Sequence, residues 1–130
     1  IMLTQEGNVS EGTGENLFLV SNGVLNVPPV ADNNLTGITR DSAMQLARNE
    51  LGLNIIERTI RRSELYLADE VFLTGTAAHI TPVGQLDNRP IGSGDVGEIT
   101  SKIRTAYLEA IRGNSPKYAH WCDEINLDSP

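Results

Sequence analysis

The stretch "VFLTGTAAHITPV", residues 71 to 83, constrains this chain more than any other. Val71, Phe72 and Leu73 read as a buried strand, yet they run straight into Thr74-Gly75-Thr76-Ala77-Ala78. Five small residues in a row cannot fill a core. Successive backbone N–H groups in such a corner bind carboxylate or phosphate when the side chains are small enough to admit it. The competing reading is a plain tight turn between two strands. On either reading, one end of a sheet must be built from small, hydroxyl-bearing residues.

The remaining pattern supplies that sheet. Ile1 to Thr4 and Leu17 to Val20 read as strands, and Val24 to Val27 returns after an Asn22-Gly23 hairpin signal. Pro28-Pro29 ends the pairing, and a loop runs to Thr36. A helix is predicted from Thr39, with Thr39 as cap and Asp41 in the first turn. Ala43, Met44, Ala47 and Leu51 recur at helical spacing, and Gly52 is the stop. Ile55 to Ile60 reads as a strand, Ser63 to Tyr66 as a short helix and Glu70 to Leu73 as a strand. Beyond the corner, Ile80 to Leu86 reads as a strand closed by Asp87-Asn88-Arg89-Pro90. A glycine-rich loop leads to a last helix striped with Ile99, Ile103, Tyr107, Ala110 and Ile111, and an irregular tail follows Gly113. Strands with interspersed helices make this an α/β (mixed α+β) domain.

Composition excludes several classes of partner. The 130 residues amount to one domain. The net charge of −7, from 17 acidic and 10 basic residues, argues against nucleic acid and anionic membrane, which need clustered Lys and Arg. No apolar stretch approaches membrane-spanning length. The single cysteine, Cys122, can form no internal disulfide, so a cytoplasmic protein is expected. The apolar opening Ile1-Met2-Leu3 has no polar lead-in, which suggests a piece of a longer protein.

Three short stretches carry chemistry. In "TGITRD", residues 36 to 41, a glycine precedes a helix start. Free N–H groups of a first helical turn favour an anion, Gly37 would let a phosphate approach, and the Thr39 hydroxyl could add a donor. The alternative is that Thr39 only caps. The corner at residues 74 to 78 is a second small, donor-rich element end, so the two together suggest a ligand with two anionic groups. In "SEGTGENLF", residues 10 to 18, Glu11 and Glu15 sit among glycines beside a strand. A carboxylate there could keep a heterocyclic nitrogen protonated, or could belong to a solvated acidic loop. "GSGDVG", residues 92 to 97, matches G-x-G-x-x-G, but no buried strand precedes it and Asp95 would repel a pyrophosphate. It reads as a turn ahead of the last helix. His79 and His120 have no zinc spacing, so no metal is expected. Cys122 and Trp121 read as packing residues.

Taken in order, "SEGTGENLFLV", "GITRDSAMQLAR", "LYLADEVFLTGTAAHITPV" and "IGSGDVGEITSKI" resemble the C-terminal domain of branched-chain amino-acid aminotransferases. These are fold-type IV pyridoxal-phosphate enzymes. The resemblance runs from about Ile1 to about Gly113. It implies a mixed sheet or pseudo-barrel with flanking helices, joined to an N-terminal domain of the same chain in a homodimer or larger homo-oligomer. It implies pyridoxal 5'-phosphate as cofactor, amino acids and 2-oxo acids as substrates, and a place in branched-chain amino-acid biosynthesis. Glu11 would pair with the pyridine nitrogen, and Leu35 would pack on the ring. Gly37, Ile38 and Thr39 would hold the phosphate, with Gly75 and Thr76 beside it. Thr76, Ala77 and Ala78 would receive the substrate carboxylate.

The departures are equally specific. The family's Schiff-base lysine and phosphate-binding arginine lie upstream, and no lysine precedes Glu11 here; Lys102 and Lys117 sit in the wrong contexts. Thr36 replaces the proline of "LPGITR", which predicts a looser loop, and His79 replaces a glutamate. A D-amino-acid or amine transaminase, or an aminodeoxychorismate lyase, would share the fold. A ligand-binding domain that has lost catalysis is the rival of another class.

Overall fold

The structure is a computed structural model that describes residues 1–125. Its centre is a five-stranded sheet of β1 (Asn16–Ser21), β2 (Val24–Val27), β3 (Ile55–Glu57), β4 (Glu70–Gly75) and β5 (His79–Pro82), in the order β3-β2-β1-β4-β5. Only β2 and β3 run parallel. Two short strands, β6 (Gln85–Leu86) and β7 (Arg89–Pro90), form a separate ribbon. Helices α1 (Ile38–Leu51) and α3 (Glu98–Ile111) are the long ones, and α2 (Arg62–Leu65) is a single turn. The mixed α/β expectation holds. The pseudo-barrel does not: β3 and β5 are free edges of an open sheet among the described residues.

Both faces of the sheet are covered, which is why β1 and β4 read as unbroken apolar runs. Successive strand residues point to opposite faces. Phe18, Val20, Leu25 and Phe72 pack with Leu46, Ala47, Ile103 and Tyr107 of α1 and α3. Leu17, Leu19 and Val71 pack with Val9, Ile60, Leu65 and Ile91 on the other face. Phe18 and Phe72 face each other across the β1–β4 ladder, stacked at 4.8 Å. Truncating either ring would cost about 3–5 kcal/mol.

Several elements differ from expectation. Ile1 to Thr4 is no strand: Leu3 makes one isolated bridge to Val9, and Ile1, Met2 and Leu3 are exposed. The strand expected over residues 55 to 60 stops at Glu57. Its parallel partner runs into Pro28-Pro29, which have no N–H to extend the ladder. The strand expected over 80 to 86 breaks at Val83-Gly84, where Gly84 passes so close to Gly94 that a Cβ would lie 2.7 Å from its carbonyl oxygen. Asp87 and Asn88 both have positive φ and turn the β6–β7 hairpin, so Arg89-Pro90 is strand rather than turn. Gly52 ends α1 with φ 61°, as predicted. The tail carries a 3-10 turn over Pro116–Trp121, where the buried Tyr118 ring lies tilted against Trp121 and its hydroxyl donates to Glu50 at 2.7 Å. Cys122 is exposed, not packed.

The "GSGDVG" loop acquires a structural purpose. The Glu70 carboxylate accepts from the N–H groups of Ile99 (3.0 Å) and Thr100 (2.7 Å) and from the Thr100 hydroxyl (2.6 Å). It therefore caps α3 from a neighbouring strand, and that helix N-terminus is taken. A Cβ on Gly97 would lie 1.9 Å from the Glu70 side chain, although φ −70° and ψ 159° suit any residue. Gly97→Ala must therefore expel the cap. It is expected to destabilise the domain by about 2–4 kcal/mol, read as a lower melting temperature. An unchanged melting temperature would contradict this role.

Candidate functional site

The antiparallel pairing of β1 and β4 brings the start of one beside the end of the other. Asn16 therefore faces Thr74 across the ladder, next to the small-residue corner. The N-terminus of α1 arrives at the same end. Together with the loop before β1 they enclose a cleft of about 390 Å³.

Its acidic wall is Glu11. One carboxylate oxygen accepts from the Leu35 N–H at 2.9 Å and from the Asn16 side-chain amide at 3.4 Å. The same amide donates to the Leu35 carbonyl at 2.7 Å. Glu11 is thus held in a fixed orientation, as a solvated loop residue would not be. Glu15 also lines the cleft, but its carboxylate folds back on its own loop, accepting from the Gly14 N–H at 3.1 Å.

The opposite wall is the start of α1. Gly37, not Thr39, is the N-cap residue, and no side chain caps the helix. Thr39 is the second helical residue, so the capping expectation is corrected. The amides of Ile38 and Thr39 donate to no other group among the described residues. Gly37 is obligatory here: an added Cβ would lie 2.2 Å from the Asn16 side-chain oxygen. Thr36 stands in a turn closed by the Gly37 N–H bonding to the Leu35 carbonyl at 3.0 Å. The turn is therefore made without proline. Arg40, the basic residue of the motif, points away from the cleft. Its buried guanidinium donates to the Pro28 carbonyl and to Glu57 at 2.9 Å.

The corner is a hairpin turn, with Thr76, Ala77 and Ala78 between β4 and β5. Gly75 and Thr76 line the cleft, while Ala77 and Ala78 continue the turn beyond its wall. His79 ends the turn at φ 54° and lies 5.9 Å from Tyr107, away from the cleft. His120 lies against Trp121. No group of His, Cys, Asp and Glu able to hold a metal occurs among the described residues. The structure thus gathers Glu11, Leu35, Gly37, Ile38, Thr39, Gly75 and Thr76 around one space. Thr36 and Thr74, from the same two motifs, also line it, and the structure adds Thr13, Gly14 and Asn16, which the sequence did not single out.

A ring-and-phosphate ligand such as pyridoxal phosphate fits these walls. Free helical amides offer an anion site at one side, and an oriented carboxylate stands at the other. The buried Thr74 hydroxyl, 1% exposed, has no partner although it lines the cleft. Buried polar groups are rarely left so. Leu35 and Ile38, 72% and 86% exposed, stand apolar and uncovered at the rim.

Residues 1–86 match the family model for amino-transferase class IV, about two thirds of the chain. The chain belongs to that family. It is 48% identical over 125 residues to a probable branched-chain-amino-acid aminotransferase of Aquifex aeolicus, and 45% identical over 126 residues to the branched-chain-amino-acid aminotransferase of Escherichia coli K12. These alignments cover 96% and 97% of this chain and 40% of each relative, so the chain spans about 40% of their length. A T.th. branched-chain amino acid aminotransferase, solved with pyridoxamine 5'-phosphate, superposes with a TM-score of 0.93 at 46% identity, over 97% of this chain and 41% of that one. The same enzyme has been solved with N-(5'-phosphopyridoxyl)-L-glutamate, with the same TM-score.

Proposed function

We propose that this domain is the cofactor-holding part of an enzyme that transaminates branched-chain amino acids with 2-oxoglutarate. The observation that carries the reading is one cleft with an oriented carboxylate on one wall and free helical amides on the other. The relatives' names and the pyridoxamine phosphate in the T.th. enzyme support it.

When bound, pyridoxal phosphate supplies an electron sink for the bond broken at the amino-acid Cα. Glu11 holds a proton on the ring nitrogen, because ion pairing favours the charged form of both groups. The Leu35 N–H and the Asn16 amide keep that carboxylate aimed. Leu35 packs its side chain on the ring. The amides of Ile38 and Thr39, with the Thr39 and Thr76 hydroxyls, bind the phosphate, and Gly37 and Gly75 let it approach. The amides of Thr76, Ala77 and Ala78 bind the substrate carboxylate at the turn. Proton transfer at Cα would fall to the lysine that the family resemblance implies; among the described residues the cleft is lined by neither lysine nor arginine. The exposed apolar residues Ile1, Met2, Leu3, Leu35 and Ile38 support a covering N-terminal domain and a homodimer or larger assembly.

Incubating the complete enzyme with L-leucine and 2-oxoglutarate is expected to form glutamate. No glutamate, with turnover of a D-amino acid instead, would overturn the substrate assignment. Thr39→Ala is expected to weaken cofactor retention about tenfold, seen as cofactor lost on dialysis. Full retention would remove Thr39 from the phosphate site.

A further inference from the structure

We propose that Asn16 is a positioning residue that locks the two ends of the cofactor cradle to each other. The inference rests on the cofactor reading above and assigns a role to a residue outside its direct contacts.

Asn16 opens β1 and is 6% exposed. Its amide nitrogen spans Glu11 and the Leu35 carbonyl at 3.4 and 2.7 Å. The longer contact is the looser, but Leu35 returns a second link through its own N–H to the same Glu11 oxygen at 2.9 Å. The three groups close a ring of hydrogen bonds. The amide oxygen faces the other way and fills the space where Gly37 would carry a side chain, 2.2 Å from that position. One side chain therefore sets the carboxylate, the Leu35 backbone and the last residue before α1. The register of β1 against β4 fixes Asn16 itself, through its pairing with Thr74. A residue needed only to fill space would not call for a donor here, and this buried amide nitrogen donates to two groups.

Asn16→Asp separates the two possibilities. It keeps shape and volume, but replaces the donor by a carboxylate facing Glu11 and the Leu35 carbonyl. In the complete enzyme loaded with pyridoxal phosphate, the visible absorption spectrum of the bound cofactor and its pH dependence are expected to move in the same direction as in Glu11→Gln. Pyridoxal phosphate affinity, measured by titrating the apoenzyme, is expected to fall about tenfold, the scale of one charged hydrogen bond lost. Both ends then fail together. Asn16→Ser, uncharged and smaller, is expected to lose affinity with a smaller spectral change, and serves where the aspartate variant does not fold. A folded variant with wild-type spectrum and affinity, differing only in melting temperature, would overturn the proposal. Wild type that takes up no pyridoxal phosphate would bring down the cofactor reading and this inference with it. Wild type and Glu11→Gln behaving as expected beside a silent Asn16→Asp would bring down this inference alone.

Discussion

In the complete enzyme, Glu11→Gln is expected to lower turnover about a hundredfold or more while cofactor content stays near wild type. The substitution preserves shape and one oxygen, so the Leu35 N–H, now 2.9 Å from the carboxylate, keeps an acceptor. What disappears is the negative charge. A neutral amide cannot hold a proton on the ring nitrogen, and the cofactor loses much of its capacity to accept electrons from Cα. A loss of that size is the scale on which removing one preorganised electrostatic partner is felt. The phosphate end is untouched, so binding survives. Steady-state rates measured beside the cofactor-to-protein ratio check both halves. Near wild-type turnover would show that Glu11 is only a loop acid.

Gly37→Ala is expected to lower cofactor affinity about a hundredfold, with a smaller effect on stability. Backbone strain plays no part, because φ −70° and ψ 139° are open to any residue. The effect is steric. The new methyl would lie 2.2 Å from the Asn16 oxygen, and Asn16 has little freedom to yield, because its nitrogen is tied to Glu11 and Leu35. Either the Asn16 amide swings and frees Glu11, or the start of α1 shifts by a comparable distance. Both damage the cradle, and such overpacking costs about 1–3 kcal/mol of stability. Apoenzyme titration with pyridoxal phosphate, alongside thermal melting, checks the prediction. Unchanged affinity would mean that Gly37 is a convenience of the turn.

Where the sequence was legible, its signals were local. The Asn22-Gly23 hairpin, the helical spacing through Leu51, the Gly52 stop and the apolar runs in β1 and β4 are all written within a few residues of where they act. Glu11, Gly37 and Thr76 stood out for the same reason, since their motifs are short and contiguous. The residues passed over act at a distance. Asn16 reaches a partner 19 residues away, Arg40 partners 12 and 17 away, and Glu70 the first turn of a helix 29 and 30 away. No periodicity reports such pairings; they exist only once the sheet has set its register. Thr39 shows the opposite failure. A threonine near a helix start invites a capping assignment, but the cap falls two residues earlier, on Gly37. That shift leaves the first-turn amides free.

The most direct test is a crystal structure of the complete enzyme with pyridoxal 5'-phosphate. The ring nitrogen is expected within hydrogen-bond distance of the Glu11 carboxylate, and the phosphate on the amides of Ile38 and Thr39. A cofactor seated elsewhere, with its phosphate clear of the α1 N-terminus, would contradict the assignment of this cleft.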